Sequence, residues 1–179
     1  SIARNRLAME SLYAPDGIYE EGAVYWSYGT TFEIALLDAL ESILGTDYGL
    51  SEVPGFDRTP YFEINMFSST GREQDFFNYA DTEDSLTLPG CIWYFVRRSG
   101  DSGFLWPVRE IYEQPSLLCD KYCDDRLAFI TLYEAVHAQI NKIAEPDAAP
   151  FFGDGTTPLA AFRTGWDKDD LYWAIKGGS

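Results

Sequence analysis

The segment DGIYEEGAVYWSYGT, Asp16 to Thr30, gathers ionisable and ring-bearing side chains whose types and spacing can do chemistry. A tyrosine hydroxyl can deliver a proton to a leaving oxygen. Deprotonated, it can take one from carbon, although its ordinary pKa of about 10 requires tuning by the site. Glu20 and Glu21 end an acidic loop at Gly22, and Tyr25, Trp26 and Tyr28 arrive as a helix begins. Asp16-Gly17 is a turn signal, so the group sits at a loop-to-helix junction, where polar backbone stays near solvent and functional groups project. Tyr25 and Tyr28 are three apart and share one opening if the helix starts early enough. Trp26 can stack on a sugar ring or pack in the core. Glu21 can hold sugar hydroxyls or simply favour the positive end of a helix. A second polar stretch, FFNYAD, brings Asn78, Tyr79 and Asp81, which can line the same cleft or stabilise a turn.

Other reactive side chains carry less. Cys91, Cys119 and Cys123 cannot form a fully paired disulfide set and read as small buried hydrophobes. Cys119 and Cys123 share a helical face, yet no second ligand pair accompanies them, so no metal is expected. The one histidine, His137, falls in the amphipathic stretch LYEAVHAQI and reads as structural. Arg97 and Arg98 are expected at a helix end, solvated and favoured by its dipole.

The elements that must position these groups are mostly helical. Ile2, Leu7 and Leu12, with Ala3 and Met9, form one stripe of a first helix. Tyr28–Gly45 places Phe32, Leu36, Ala39, Leu40 and Ile43 on one face and ends at a glycine. The Pro/Gly-rich SEVPGFDRTP leads to a short helix in YFEINMFSS. GCIWYFVRR and FLWPVREIYE predict two short helices around SGDSG, and Leu117–Ile143 predicts helix over part or all of its length. AEPDAAPFFGDGTTP reads as a linker. PLAAFRT and LYWAIK then alternate as strands around the turn-forming GWDKDD, giving a hairpin that belongs to a larger sheet.

With 179 residues and 46% apolar content, the chain can bury a substantial core. Its 29 acidic and 13 basic residues, net charge −16, exclude a nucleic-acid partner held through phosphate neutralisation. No apolar run is long enough to span a bilayer. The 16% aromatic share suits a sugar-binding cleft or a dense core equally.

On Glu21, Gly22 and Tyr25 the chain resembles the heparinase II/III-like polysaccharide lyases, which carry an acidic-Gly-x-x-Tyr pattern at a comparable junction. YGTTFEIALLDALESILGTDYGLSEVPGF, FFNYAD and FRTGWDKDDLYWAIKGGS resemble the heparinase II branch, so the likeness runs over residues 1–98 and again from 150 to the end. The resemblance implies a mainly α fold, with residues 1–150 part of an (α/α) toroid. Residues 151–179 would be a linker and the first β-hairpin of a β-sandwich. It implies β-elimination on an acidic, uronate-containing polysaccharide or oligosaccharide. Tyr25 would be the catalytic tyrosine, with Glu21, Trp26, Tyr28, Asn78 and Tyr79 binding substrate and no cofactor within this chain. The family's other catalytic groups, a His or Asn from an earlier helix and a His from the sheet domain, have no counterpart in this sequence. The expectation is therefore a fragment of a larger secreted or periplasmic enzyme, inactive or nearly so alone. The competing readings are a toroid glycoside hydrolase using Glu20, Glu21 or Asp81, and a glycan-binding domain without catalysis.

Overall fold

The computed structural model describes residues 1–68, 76–80, 90–109, 134, 138 and 142–178. Helix α1 spans Ile2–Tyr13 and helix α2 Ala23–Leu44. Of the expected α1 stripe, Met9 is sealed and Ile2 and Leu12 pack against the core, while Ala3 and Leu7 are exposed and Tyr13, outside the stripe, is sealed. Tyr13 decides the orientation. Its hydroxyl meets Thr30 Oγ1 at 3.0 Å, and a buried phenol needs such a partner. The same pair turns α2. That helix buries Trp26, Thr30, Ile34 and Leu37; of the expected face, Phe32, Ala39 and Ile43 are exposed, Leu36 is half-buried and Leu40 packs against the core. A hydrogen-bonded threonine inside the buried stripe is invisible to a count of apolar residues. The C-terminal stop is as expected: Gly45 takes φ 71° and donates its N–H to Glu41 O at 3.0 Å.

Helix α3, Thr59–Met66, carries Pro60 in its first turn, where a missing N–H breaks no helical bond. Its side chains are buried nearly all round, Tyr61 excepted, which marks a short helix enclosed on several sides. Helix α4, Ile92–Ser99, stops at Gly100 with φ 75°. Asp101 Oδ1 then accepts from Gly103 N–H at 2.8 Å and opens a 3-10 segment, Ser102–Val108. A regular helix was expected from Phe104, but Pro107 has no N–H to give. Of the helix expected over 117–143, Glu134 and Ala138 are helical; Cys119, Cys123 and His137 lie outside the described residues.

Three antiparallel strands close the chain: β1 Phe151–Gly153, β2 Leu159–Arg163 and β3 Tyr172–Lys176, in that order. The β2–β3 hairpin is the expected one, with Phe162 opposite Trp173. Strand β1 lies in the stretch expected to be a linker, because three residues are too few to show a period. Phe151, Leu159, Ala161 and Trp166 join the helical hydrophobic cluster, so sheet and helices share one core. The protein is mainly helical with a small antiparallel sheet.

Arg163 fastens the two parts. The buried guanidinium donates Nη2 to Phe67 O at 2.9 Å and lies 3.4 Å from the Trp166 ring centroid and 5.1 Å from that of Tyr172. Burial lowers its pKa to about 10, which leaves it charged at neutral pH. Lysine offers no planar fork and no stacking face. Arg163→Lys is expected to lower stability by about 2–3 kcal/mol, read from the urea midpoint. An unchanged midpoint would mean that the sheet docks through apolar contact alone.

Arg97 and Arg98 are paired, contrary to the expected solvated cations. Arg98 meets Glu41 at 2.9 Å. Arg97 holds the fully buried Glu134 through Nε and Nη2 and stands 3.7 Å from Asp38. Burial, then the Glu134 charge, raises Asp38 to about 7, well above its unfolded value of about 3.9. The folded state thus binds the proton more tightly. This contribution is fully present below pH about 4 and lost as pH rises through about 7. Asp38→Asn is expected to flatten this window and to gain about 1 kcal/mol over the wild type at pH 8, discounted for the solvent Asp38 retains. Urea midpoints of both proteins from pH 5 to 8 provide the check.

Candidate functional site

The Asp16–Tyr28 segment is built on an interior relay. Trp26 Nε1 donates to Thr59 Oγ1 at 2.6 Å, and the Thr59 hydroxyl donates onward to Gly17 O at 2.7 Å. One side-chain chain therefore ties the start of α2, the start of α3 and the Asp16-Gly17 turn. Asp16 reaches outward, its Oδ2 accepting from Asp154 N–H at 2.8 Å and its Oδ1 3.3 Å from Arg58. Gly22, at φ 87°, turns the chain into α2 six residues before Tyr28 and donates its N–H to Tyr19 O at 3.1 Å. The helix thus begins early enough for Tyr25 and Tyr28 to project together. The Tyr19 hydroxyl lies where any Cβ on Gly29 would stand, so the first turns of α2 carry a glycine on their inner side.

This frame sorts the expected site residues. Tyr25 is 41% and Tyr28 52% exposed, on the outer side of a helix whose inner side is locked. Glu20 and Glu21 are exposed beside them. Tyr28 packs edge-on against Phe32 at 5.2 Å. Trp26 is fully buried, so no sugar can stack on it, and the reason is its bond to Thr59. Asn78 is exposed. The neighbouring Tyr79 donates its hydroxyl to Tyr19 O at 2.6 Å, which ties this segment to the residue before Glu20 and occupies the phenol. Burial, with the charges of Glu63 and Glu20, pushes the Tyr79 pKa upward. Asp81 lies outside the described residues.

A concave site was not legible in the sequence. A cleft of about 490 Å³ opens between α3, the start of the 3-10 segment, the connection into β1 and Trp166. Its chemistry comes from Arg58, Tyr61, Asn65, Asp101, Glu145, Asp147 and Trp166. Tyr61 is 42% exposed and braced edge-on by Phe104 at 4.8 Å. Burial, then the charges of Asp101 and Asp57, raise its pKa, so the phenol stays protonated at neutral pH. Tyr25 is not among the residues lining this cleft.

The chain matches no protein-family model, and comparison with curated proteins gives no match. Two places among the described residues gather polar side chains. The first presents two exposed phenols and two exposed carboxylates at a helix start. The second is the cleft beside α3. No helix among the described residues is long and apolar enough to cross a membrane, and no group of three or more His, Cys, Asp or Glu among them could hold a metal.

The residue most easily missed is Glu63. It is fully buried in α3, and neither carboxylate oxygen has a hydrogen-bond partner among the described residues. Burial alone raises its pKa well above the ordinary carboxylate value. A lone acid in the apolar run YFEINMF was the available signal.

Proposed function

We propose that this chain forms the tyrosine-bearing wall of a lyase that cleaves uronate-containing polysaccharide by β-elimination, with Tyr25 as the proton-transfer residue. The observation that carries the reading is the presentation of Tyr25, an exposed phenol on the first turn of a helix fixed from beneath by Trp26, Thr59 and Gly17. The resemblance of Glu21-Gly22-x-x-Tyr25 and its flanks to heparinase II/III-like lyases supports the same assignment, and with it an (α/α) toroid, a β-sandwich and a secreted or periplasmic location.

In the elimination a base removes the C5 proton of the uronate, the electron pair forms the C4=C5 double bond, and the C4–O bond breaks. The departing oxygen then takes a proton. A phenol can serve that last step directly, and as phenolate it can serve the first. Glu21 and Tyr28, both exposed, would hold sugar hydroxyls in this reading; Asn78 lies on the segment that Tyr79 ties to Tyr19. The carboxylate of the uronate must be neutralised for charge to build at C5, work that falls to cationic or amide groups beyond this wall.

Incubating the full-length protein with glycosaminoglycans and alginate is expected to yield an unsaturated, ultraviolet-absorbing end for each bond cut. Saturated reducing ends without that absorbance would replace the lyase reading with a hydrolase.

A further inference from the structure

We propose that Asp38, Arg97 and Glu134 form a proton latch, in which a proton on Asp38 fastens the helical turn bearing Glu134 and Ala138 to α2 and α4. Asp38 stands about 20 Å along α2 from Tyr25 at the rise of a helix, so the latch holds or fails apart from the lyase reading.

The geometry puts two acids on one cation. Arg97 of α4 donates Nε and Nη2 to the two oxygens of Glu134, and the same Nη2 lies 3.7 Å from Asp38 Oδ1 on α2. Side-chain exposure is 0% at Glu134, 15% at Asp38 and 25% at Arg97, so salt and water screen the group little. Asp38 Oδ2 is sealed and has no donor among the described residues. The Asp38 and Glu134 carboxyls are themselves within hydrogen-bond reach of each other. With both ionised, that contact holds no hydrogen and one negative charge is left over. A proton on Asp38 supplies the missing donor and makes the set neutral, as when two neighbouring carboxylates share one proton.

The surrounding charges leave this count unchanged. On α2, Glu41 is paired with Arg98 of α4 at 2.9 Å, and Arg98 also reaches Ser51 Oγ at 3.1 Å. Tyr94 of α4 offers its ring to Arg97 at 5.6 Å and to Arg98 at 5.2 Å, and burial keeps its phenol protonated. Asp47, beyond the end of α2, accepts from the N–H groups of Gly49 and Ser51. Arg97 is thus the one cation that the two acids divide.

Burial, then the Glu134 charge, raises Asp38 to about 7, against about 3.9 in a solvated chain. The closed latch binds the proton more tightly, so closure is complete in acid and is lost as pH rises through about 7. The part released follows from the contacts. Glu134 and Ala138, four apart, share a face of their turn, with Ala138 packed against the hydrophobic core and Glu134 seated on Arg97. A leftover buried charge is strongly destabilising, and lifting the turn restores its water.

The test compares backbone hydrogen exchange of the intact protein at pH 6 and pH 8, with protection taken relative to the intrinsic rate at each pH. A proton affinity of about 7 closed and about 4 open lowers the closed-to-open ratio about tenfold over that range. A matching tenfold loss of protection is expected between Glu134 and Ala138, with α1 unchanged. Asp38→Asn, uncharged at both pH values and able to donate its amide to Glu134, is expected to keep one level of protection throughout. The proposal falls if the wild-type turn loses no protection, if α1 loses it in step, which is global unfolding, or if Asp38→Asn shows the same drop. It falls too if the wild-type Asp38 carboxyl, followed by NMR, titrates in the ordinary carboxylate range, a reading that needs no variant to fold.

Discussion

Tyr25→Phe is expected to lower kcat for elimination by about 10²–10⁴, the usual worth of a positioned proton-transfer group. KM should change little, because the ring and its exposed setting stay and only the hydroxyl is lost. Stability should stay within about 0.5 kcal/mol of the wild type, since the substitution touches no buried contact. A matched Tyr28→Phe variant, three residues along the same exposed face, is expected to retain most turnover. If Tyr25→Phe keeps its rate, the tyrosine is not the proton carrier. The chemistry then passes to the neighbouring carboxylates Glu20 and Glu21, as in a glycoside hydrolase. Readout by ultraviolet absorbance of the unsaturated product, with folding checked by the urea midpoint, separates lost chemistry from lost protein.

The largest stability effect is expected at Gly55. This residue takes φ +84°, and a Cβ there would fall on the Tyr13 carbonyl and against Gly17 N. Those two backbone groups are themselves bonded, Gly17 N–H to Tyr13 O at 2.7 Å. The crossing of the two loops therefore has room for hydrogen only. Gly17, at φ +82°, meets Thr59 backbone in the same way, so neither chain can yield to the other. Gly55→Ala is expected to cost about 3–5 kcal/mol, combining left-handed strain with a backbone collision. Gly45 is the control, with φ +71° but nothing within 4 Å of an added Cβ. Gly45→Ala should cost only the conformational term, about 1–2 kcal/mol. Equal losses at the two sites, measured by urea unfolding, would show that the loops separate to admit a side chain. The consequence reaches the site, because the Gly17 turn is one end of the relay that fixes Trp26 and hence Tyr25.

The two effects are linked through α2. Tyr25 can act only if the helix start holds still, and the helix start is held by residues that touch no ligand. Trp26 is the clearest instance: its type suggested a sugar platform, and its position made it the peg beneath the site.

The sequence by itself determined what depends on neighbours along the chain. Gly45 and Gly100 end helices because a left-handed residue frees the last carbonyls to be capped, a local event. The β2–β3 hairpin was legible because alternation over five residues leaves little choice of face. That Tyr25 and Tyr28 share a face followed from their spacing once a helix began after Gly22. Only the tertiary structure decided which face of α1 and α2 is inward, because Tyr13–Thr30 and Trp26–Thr59 pair residues far apart in sequence and are polar. It alone made β1, whose three residues acquire strand geometry by pairing with β2. It alone assembled the cleft, whose lining comes from α3, the 3-10 start, the β1 connection and the β2–β3 turn. Periodicity reports the environment of one element at a time. A site formed by closing several of them, with Asn65 and Trp166 left unsatisfied at the join, appears only once the chain has folded.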